Sequence, residues 1–259
     1  MSGQNTGDDD PFFIGFLPVP RALRGFLAIV SGVGLLAALG LGYVIAATQD
    51  DPGDGTFRFD LGRQSVTGVL VESAYPVLRI TEGNERLPAG HSLLLSGPGK
   101  NGVQEDAAPH LGQLVTVEGV LLTRGDLDMM QVRRQGGQSV IIPADTPAPV
   151  LTDSEPLGRW RLTGELCDGK CYVGAMRPGN GIAHKACANL CVVGGVPMVM
   201  VSTAPVDGQN FFLVTGPDGG RVPQALLDAT ASIVALEGEI ERIGDLLVFR
   251  ADPTTLERL

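Results

Sequence analysis

The sequence predicts an all-β body of two tandem small barrels behind a single N-terminal transmembrane helix, with a helical insertion in the second barrel. Three observations lead there. Of 259 residues, 36 are Gly and 18 are Pro, and short Val/Leu runs are broken by Gly-containing turns, the pattern of many short strands. One 23-residue stretch, Gly25 to Ala47, carries no charge. All four cysteines fall between Cys167 and Cys191.

The uncharged stretch comes first. At about 1.5 Å rise per residue it is about 34 Å long, enough to cross a hydrocarbon core of about 30 Å. Arg21 and Arg24 precede it and Asp50, Asp51 and Asp54 follow. The bias of positive charge toward the cytoplasm therefore places residues 1–24 inside as a short tail, residues 25–47 in the membrane and the rest outside. In a bacterium this is an inner-membrane protein with a periplasmic body. A cleavable signal peptide is the competing reading, with Val44 and Ala46 before the cut. The length of the apolar core and a leader containing Asp8, Asp9, Asp10 and DPFFIGFLPVP favour an uncleaved anchor. Gly34, Ala38, Gly42 and Ala46 recur every four residues and lay small side chains along one helix face, so the expected partner is another membrane protein packed there. A net charge of −10 argues against a nucleic-acid partner, which needs a dense Lys/Arg surface.

Behind the helix one unit occurs twice. LLLSGPGK (Leu93 to Lys100) matches FLVTGPDG (Phe212 to Gly219), VTVEGV (Val115 to Val120) matches VALEGEI (Val234 to Ile240), and RGDL (Arg124 to Leu127) matches IGDL (Ile243 to Leu246). Gly97 to Gly216, Glu118 to Glu237 and Asp126 to Asp245 are each displaced by 119. Nearer the start, Gly68 to Gly164 is displaced by 96, so the second copy carries 23 extra residues, the difference between 119 and 96. About five short strands in roughly 90 residues fit an OB-like Greek-key barrel better than an immunoglobulin sandwich of about seven. The domains expected are 56–142 and 159–259, joined by a Pro-rich linker, 143–158, that should not enter a sheet.

The insertion, residues 170–198, gathers the chemistry. IAHKACANLCVV is bounded by Gly and Pro on both sides and reads as a short helix. On it His184, Cys187 and Cys191 stand at i, i+3 and i+7, one face, while Cys167 and Cys171 lie at the end of the preceding strand. The candidate ligand set is Cys171, His184, Cys187 and Cys191, with Cys167 as a fifth member. From Gly169 to Val206 there is no Asp or Glu, which excludes ordinary calcium or magnesium coordination and leaves zinc, copper or an iron–sulfur centre. Met176, Met198 and Met200 are nearby; Met198 and Met200 alternate on a strand, as thioether donors to copper or as core. Outside the cytoplasm four cysteines also form two disulfides, here as cross-pairs that staple the insertion of a structural interaction module. Both readings are carried forward. GPGKNG (Gly97 to Gly102) lacks the GK[ST] ending of a nucleotide loop and reads as a turn, and His91 and His110 read as lone surface histidines. No catalytic constellation is complete: Cys171 with His184 lacks a third, orienting group.

Gly164, Asp168, Cys171 and Tyr172, then His184, Cys187, Ala188 and Cys191, then Gly194, Gly195 and Pro197 form G-x-x-x-D-x-x-C-Y, H-x-x-C-A-x-x-C and G-G-x-P. In these motifs, and in DPFFIGFLPVP, YPVL and GPGKNG, the chain resembles a family of bacterial membrane-anchored envelope proteins with no established reaction. The resemblance implies an OB-like fold and a Cys/His site made from Cys171, His184, Cys187 and Cys191, with Cys167 additional to the pattern. The function expected is that of an extracytoplasmic accessory protein that binds a soft metal or performs thiol redox chemistry beside a membrane redox complex.

Overall fold

The computed structural model describes residues 19–48, 53–71, 73–151 and 154–259, and divides the chain into an N-terminal unit and a compact body from Pro52 to Leu259. The N-terminal unit is one helix, α1 (Arg21–Thr48), of 28 residues. By length and composition it is able to cross a membrane, and none of its apolar window is buried against protein. Most of the expected N-terminal tail, together with Asp50 and Asp51 of the expected acidic flank, lies outside the described residues.

The body is two five-stranded closed barrels. The first is built from β1 (Gln64–Val71), β2 (Val77–Glu82), β3 (Ser92–Ser96), β4 (Leu114–Arg124) and β5 (Leu127–Val132), with the short helix α2 (Gln104–Ala107) between β3 and β4. The second uses β6 (Ser154–Asp168), β7 (Met198–Val206), β8 (Gln209–Thr215), β9 (Ile233–Ile243) and β10 (Leu246–Ala251), with α3 (Lys185–Val193) before β7 and α4 (Gln224–Asp228) before β9. In each ring the first strand pairs with the second and fourth, the fourth with the fifth, and the third runs parallel to the fifth. The registers correspond. Gly68 lies opposite Val115 and Gly164 opposite Val234; Leu94 opposite Met129 and Leu213 opposite Val248; Gly119 opposite Val132 and Gly238 opposite Ala251.

Two glycine pairs let these strands curl into a ring. A Cβ on Gly68 would sit 2.3 Å from the carbonyl oxygen of Arg79, and on Gly164 2.2 Å from that of Val201. Gly119 and Gly238 are each closed in the same way by the carbonyl of the fifth strand, at 2.3 Å. Any side chain there would push neighbouring strands apart.

The second strands fix the size of the insertion. Val77 opposite Leu94 corresponds to Val199 opposite Leu213, a displacement of 122 for the second strand against 96 for the first. The insertion is therefore 26 residues, the difference between 122 and 96, offset by a connection three residues shorter before the third strand. It lies within the connection from Gly169 to Pro197.

Two expectations are corrected. The residues read as a linker enter the sheets at both ends: Ile141–Pro143 pairs with β4, and Ser154 to Gly158 pairs with β9. Pro156 is accommodated because it lies on an exposed stretch at a register shift, where a missing N–H breaks no ladder. The barrels also share a core. Leu94, Leu122, Leu127 and Met129 of the first pack with Leu166, Cys167, Tyr172, Met198, Met200 and Phe212 of the second, while Leu70, Leu78, Leu93, Leu95 and Met130 fill the first barrel itself. Met198 and Met200 are thus core residues. Finally, His91 is no surface histidine. Its Nδ1 lies 2.5 Å from Asp245 Oδ2 of the other barrel and its Nε2 3.0 Å from Asp128 Oδ2, with Arg86 making a two-pronged ion pair to Asp128.

Candidate metal centre

The centre begins where β6 ends. Asp168 closes the strand opposite Met198 and is fully buried. Its Oδ1 accepts the backbone N–H of Cys171 at 2.7 Å, the bond by which an Asp caps the start of a helical turn, here the five-residue π-type turn Cys171–Ala175. Its Oδ2 lies 2.9 Å from His184 Nε2. One carboxylate thus ties the strand end, the Cys171 turn and the 3-10 turn Ile182–His184 that leads into α3.

From α3, Cys187 and Cys191 project toward Cys171. These residues lie one helical turn apart and share a face. The helix is stopped by Gly195, whose φ of 93° only glycine adopts without strain; Gly195 N–H bonds to the carbonyl of Val192 and Val196 N–H to that of Cys191, a Schellman termination. Lys185 pins the other end to the second barrel through the carbonyl oxygens of Asp228 and Thr230.

The sulfurs of Cys171, Cys187 and Cys191 lie within 4.8 Å of one another. Four bonds of about 2.3 Å in tetrahedral array set sulfurs about 3.8 Å apart, so closure onto an ion takes side-chain movements of about 1 Å or less. A second group, Asp168, Cys171 and His184, meets the same distance and shares Cys171. The Cys/His/Asp cluster can therefore hold a metal. All four cysteines are free thiols, so the disulfide staple does not form in this structure.

The arrangement differs from the sequence expectation in three ways. His184 precedes α3 instead of standing on its face, so it sits with Asp168 and Cys171 and not in the group of three sulfurs. Cys167 is in neither group; it packs in the barrel core, where burial foremost pushes its thiol well above the ordinary range. And the site is not carboxylate-free: Asp168 stands one residue before the window without Asp or Glu.

Lysines complete it. Lys100, from the Gly97 to Gly102 turn of the first barrel, places Nζ 2.7 Å from Cys187 Sγ and 4.0 Å from Cys191 Sγ. The contact with Cys187 raises the Lys100 pKa. In the opposite direction Lys170, 3% exposed, donates to the carbonyls of Gly97 at 2.6 Å and Gly99 at 3.0 Å. Burial lowers the Lys170 pKa against the attraction of Cys171, Cys191 and Asp168. Between Cys171 and Cys191 the mutual hydrogen bond drives the pKa of the first up and of the second down, with Lys100 adding to the second effect. Met176 lies beside Cys187, Sδ to Sγ 3.3 Å. Sequence reasoning missed Lys100; its sole signal was that GPGKNG holds the one lysine outside the insertion.

Comparison with protein-family models, curated proteins and solved structures finds no match to this chain. What the centre does rests on its geometry.

Proposed function

We propose that the chain is a membrane-anchored accessory protein whose body, two OB-type barrels derived from one duplicated unit, holds a soft metal ion through Cys171, Cys187 and Cys191. The strand order, the parallel third and fifth strands and the helix between third and fourth strands support the OB reading, and the matched registers support duplication. The observation that carries the function is the convergence of three free thiols within 4.8 Å, two of them buried, with Lys100 Nζ 2.7 Å from Cys187 Sγ. His184 stands next to Cys171 as a fourth donor or, through Asp168, as the group that orients it. On this reading α1 anchors the body outside the bacterial inner membrane, its Gly34, Ala38, Gly42 and Ala46 face packs on a membrane protein partner, and the site holds or delivers metal for a membrane redox complex.

The test is metal content. Full-length chain in detergent, reconstituted separately with Zn(II), Cu(I) and Fe(II), should retain about one ion per chain after desalting, and Cys187→Ser or Cys191→Ser should abolish retention. Cys167→Ser should retain it. Wild-type protein that keeps none of the three ions overturns the proposal.

A second reading, thiol redox chemistry, is favoured by the approach of three free thiols within 4.8 Å with Lys100 beside Cys187. In it two thiols close to a disulfide, passing two electrons to a partner's disulfide and their protons to solvent. It expects metal-free protein to reduce a disulfide substrate, with Cys191→Ser inactive.

A further inference from the structure

Two features around the three sulfurs go beyond a generic soft-metal site. The first is charge. Three coordinated thiolates carry three negative charges; Lys100 stands 2.7 Å from Cys187 Sγ, and buried Lys170, its Nζ on the carbonyls of Gly97 and Gly99, is next in sequence to Cys171. The Asp168 carboxylate, bonded to Cys171 N–H and to His184, adds a further negative charge beside Cys171. The lysines offset the repulsion among these charges without fixing the valence of the ion.

The second feature is a thioether. Met176 Sδ is 3.3 Å from Cys187 Sγ. Thioether sulfur is neutral and soft; zinc sites use thiolate, imidazole and carboxylate, whereas Cu(I) accepts thioether readily. Met176 and Cys187 also form the accessible edge of the cluster, Met176 being 45% exposed, while Cys171 and Cys191 lie beneath. The remaining sulfur-bearing side chains near the insertion, Cys167, Met198 and Met200, are core residues with no such opening.

We propose that the centre is built for Cu(I), held by Cys171, Cys187, Cys191 and the Met176 thioether, with Lys100 beside Cys187 offsetting the charge of the thiolates and the ion exchanging at the Cys187–Met176 edge. This rests on the three cysteines being metal ligands. No electron is transferred: copper enters and leaves as Cu(I), and whatever protons the three thiols carry pass to solvent.

Full-length chain in detergent micelles, labelled with selenomethionine, is loaded anaerobically with one equivalent of Cu(I). X-ray absorption at the copper and selenium edges, on wild type and Met176→Leu, then reads the ligand directly. The expected result is a shell of sulfur plus one selenium in the wild type, with the copper–selenium distance absent from the variant. In competition with bicinchoninate, Met176→Leu and Lys100→Gln should each weaken Cu(I) binding about tenfold or more, with Zn(II) affinity unchanged within about twofold in Met176→Leu. Copper bound by sulfur alone, with no selenium neighbour and no loss in Met176→Leu, overturns the Cu(I) assignment and leaves the three-cysteine reading standing. Failure of wild-type protein to retain either Cu(I) or Zn(II) overturns both.

Discussion

Asp168 is the residue on which the centre turns, although it is not one of the three convergent sulfur donors. Both carboxylate oxygens are used, one by the N–H of Cys171 at 2.7 Å and one by His184 at 2.9 Å, and the side chain is wholly buried. Asp168→Ala leaves a buried imidazole and a turn without its cap, and should destabilise the metal-free protein by about 3–5 kcal/mol, the cost of losing two buried hydrogen bonds to a carboxylate. Asp168→Asn keeps an oxygen for Cys171 and should cost less, about 1–3 kcal/mol. Urea unfolding of both variants checks the order; an Asp168→Ala protein within 1 kcal/mol of wild type would contradict this role. The cysteines themselves were legible in the sequence, because four thiols in 25 residues beside a first barrel with no cysteine call for a reason. His184 was legible as a site residue but not in its place. Periodicity assumes the helix has begun, and here it begins one residue later, at Lys185.

At the scale of the element, α3 is positioned from both ends, by Lys185 on the second barrel and by Gly194 and Gly195 on the first. Gly102 N–H donates to Gly194 O at 2.8 Å and Gln104 Nε2 to Gly195 O at 2.5 Å. A Cβ on Gly194 would lie 2.0 Å from the carbonyl oxygen of Lys100, a backbone atom that cannot swing aside. Gly194→Ala must therefore push the Lys100 turn off the helix. It should destabilise the protein by about 1–3 kcal/mol, as overpacking does, and weaken metal retention as well because Lys100 leaves Cys187. Gly181→Ala has open space but a φ of 76°, and should cost stability alone. Thermal unfolding with parallel metal retention separates the two. The sequence readily showed α3, its glycine stops and the matching strands, all of which are local patterns. It hid the extension of β6 back to Ser154, since proline and polar residues there are tolerated only at an exposed, bulged position that pairing with β9 creates.

Across the whole body the barrels exchange lysines, Lys100 toward the sulfurs and Lys170 toward the carbonyls of the first barrel, so the centre is complete only when both are present. Nothing local announces this, because each contact joins residues more than 70 positions apart. A second bridge, distinct from the centre, is the His91 cluster. Burial works to lower the His91 pKa, but the hydrogen bonds and charges of Asp128 and Asp245 outweigh it and push the value up to about 9. His91 and Ser92 hold Asp245 below its ordinary range despite burial. Because the folded pKa of His91 lies above the unfolded value of about 6.5, its stabilisation is complete below that pH and is lost as pH rises through 9. Asp245 acts in the other sense: its contribution is present above about 3.9 and is lost as pH falls. The contact between barrels should thus be firmest from about pH 4 to 6.5 and loosen on the alkaline side. Thiols and other groups titrate in the same alkaline range, so the informative quantity is a difference. The wild type should lose stability relative to His91→Gln between pH 6.5 and 9, as measured by urea unfolding at each pH, because glutamine cannot gain the charge that Asp128 and Asp245 reward. Parallel pH curves for the two proteins would mean that the imidazole is neutral in the folded body and that Arg86 alone satisfies Asp128.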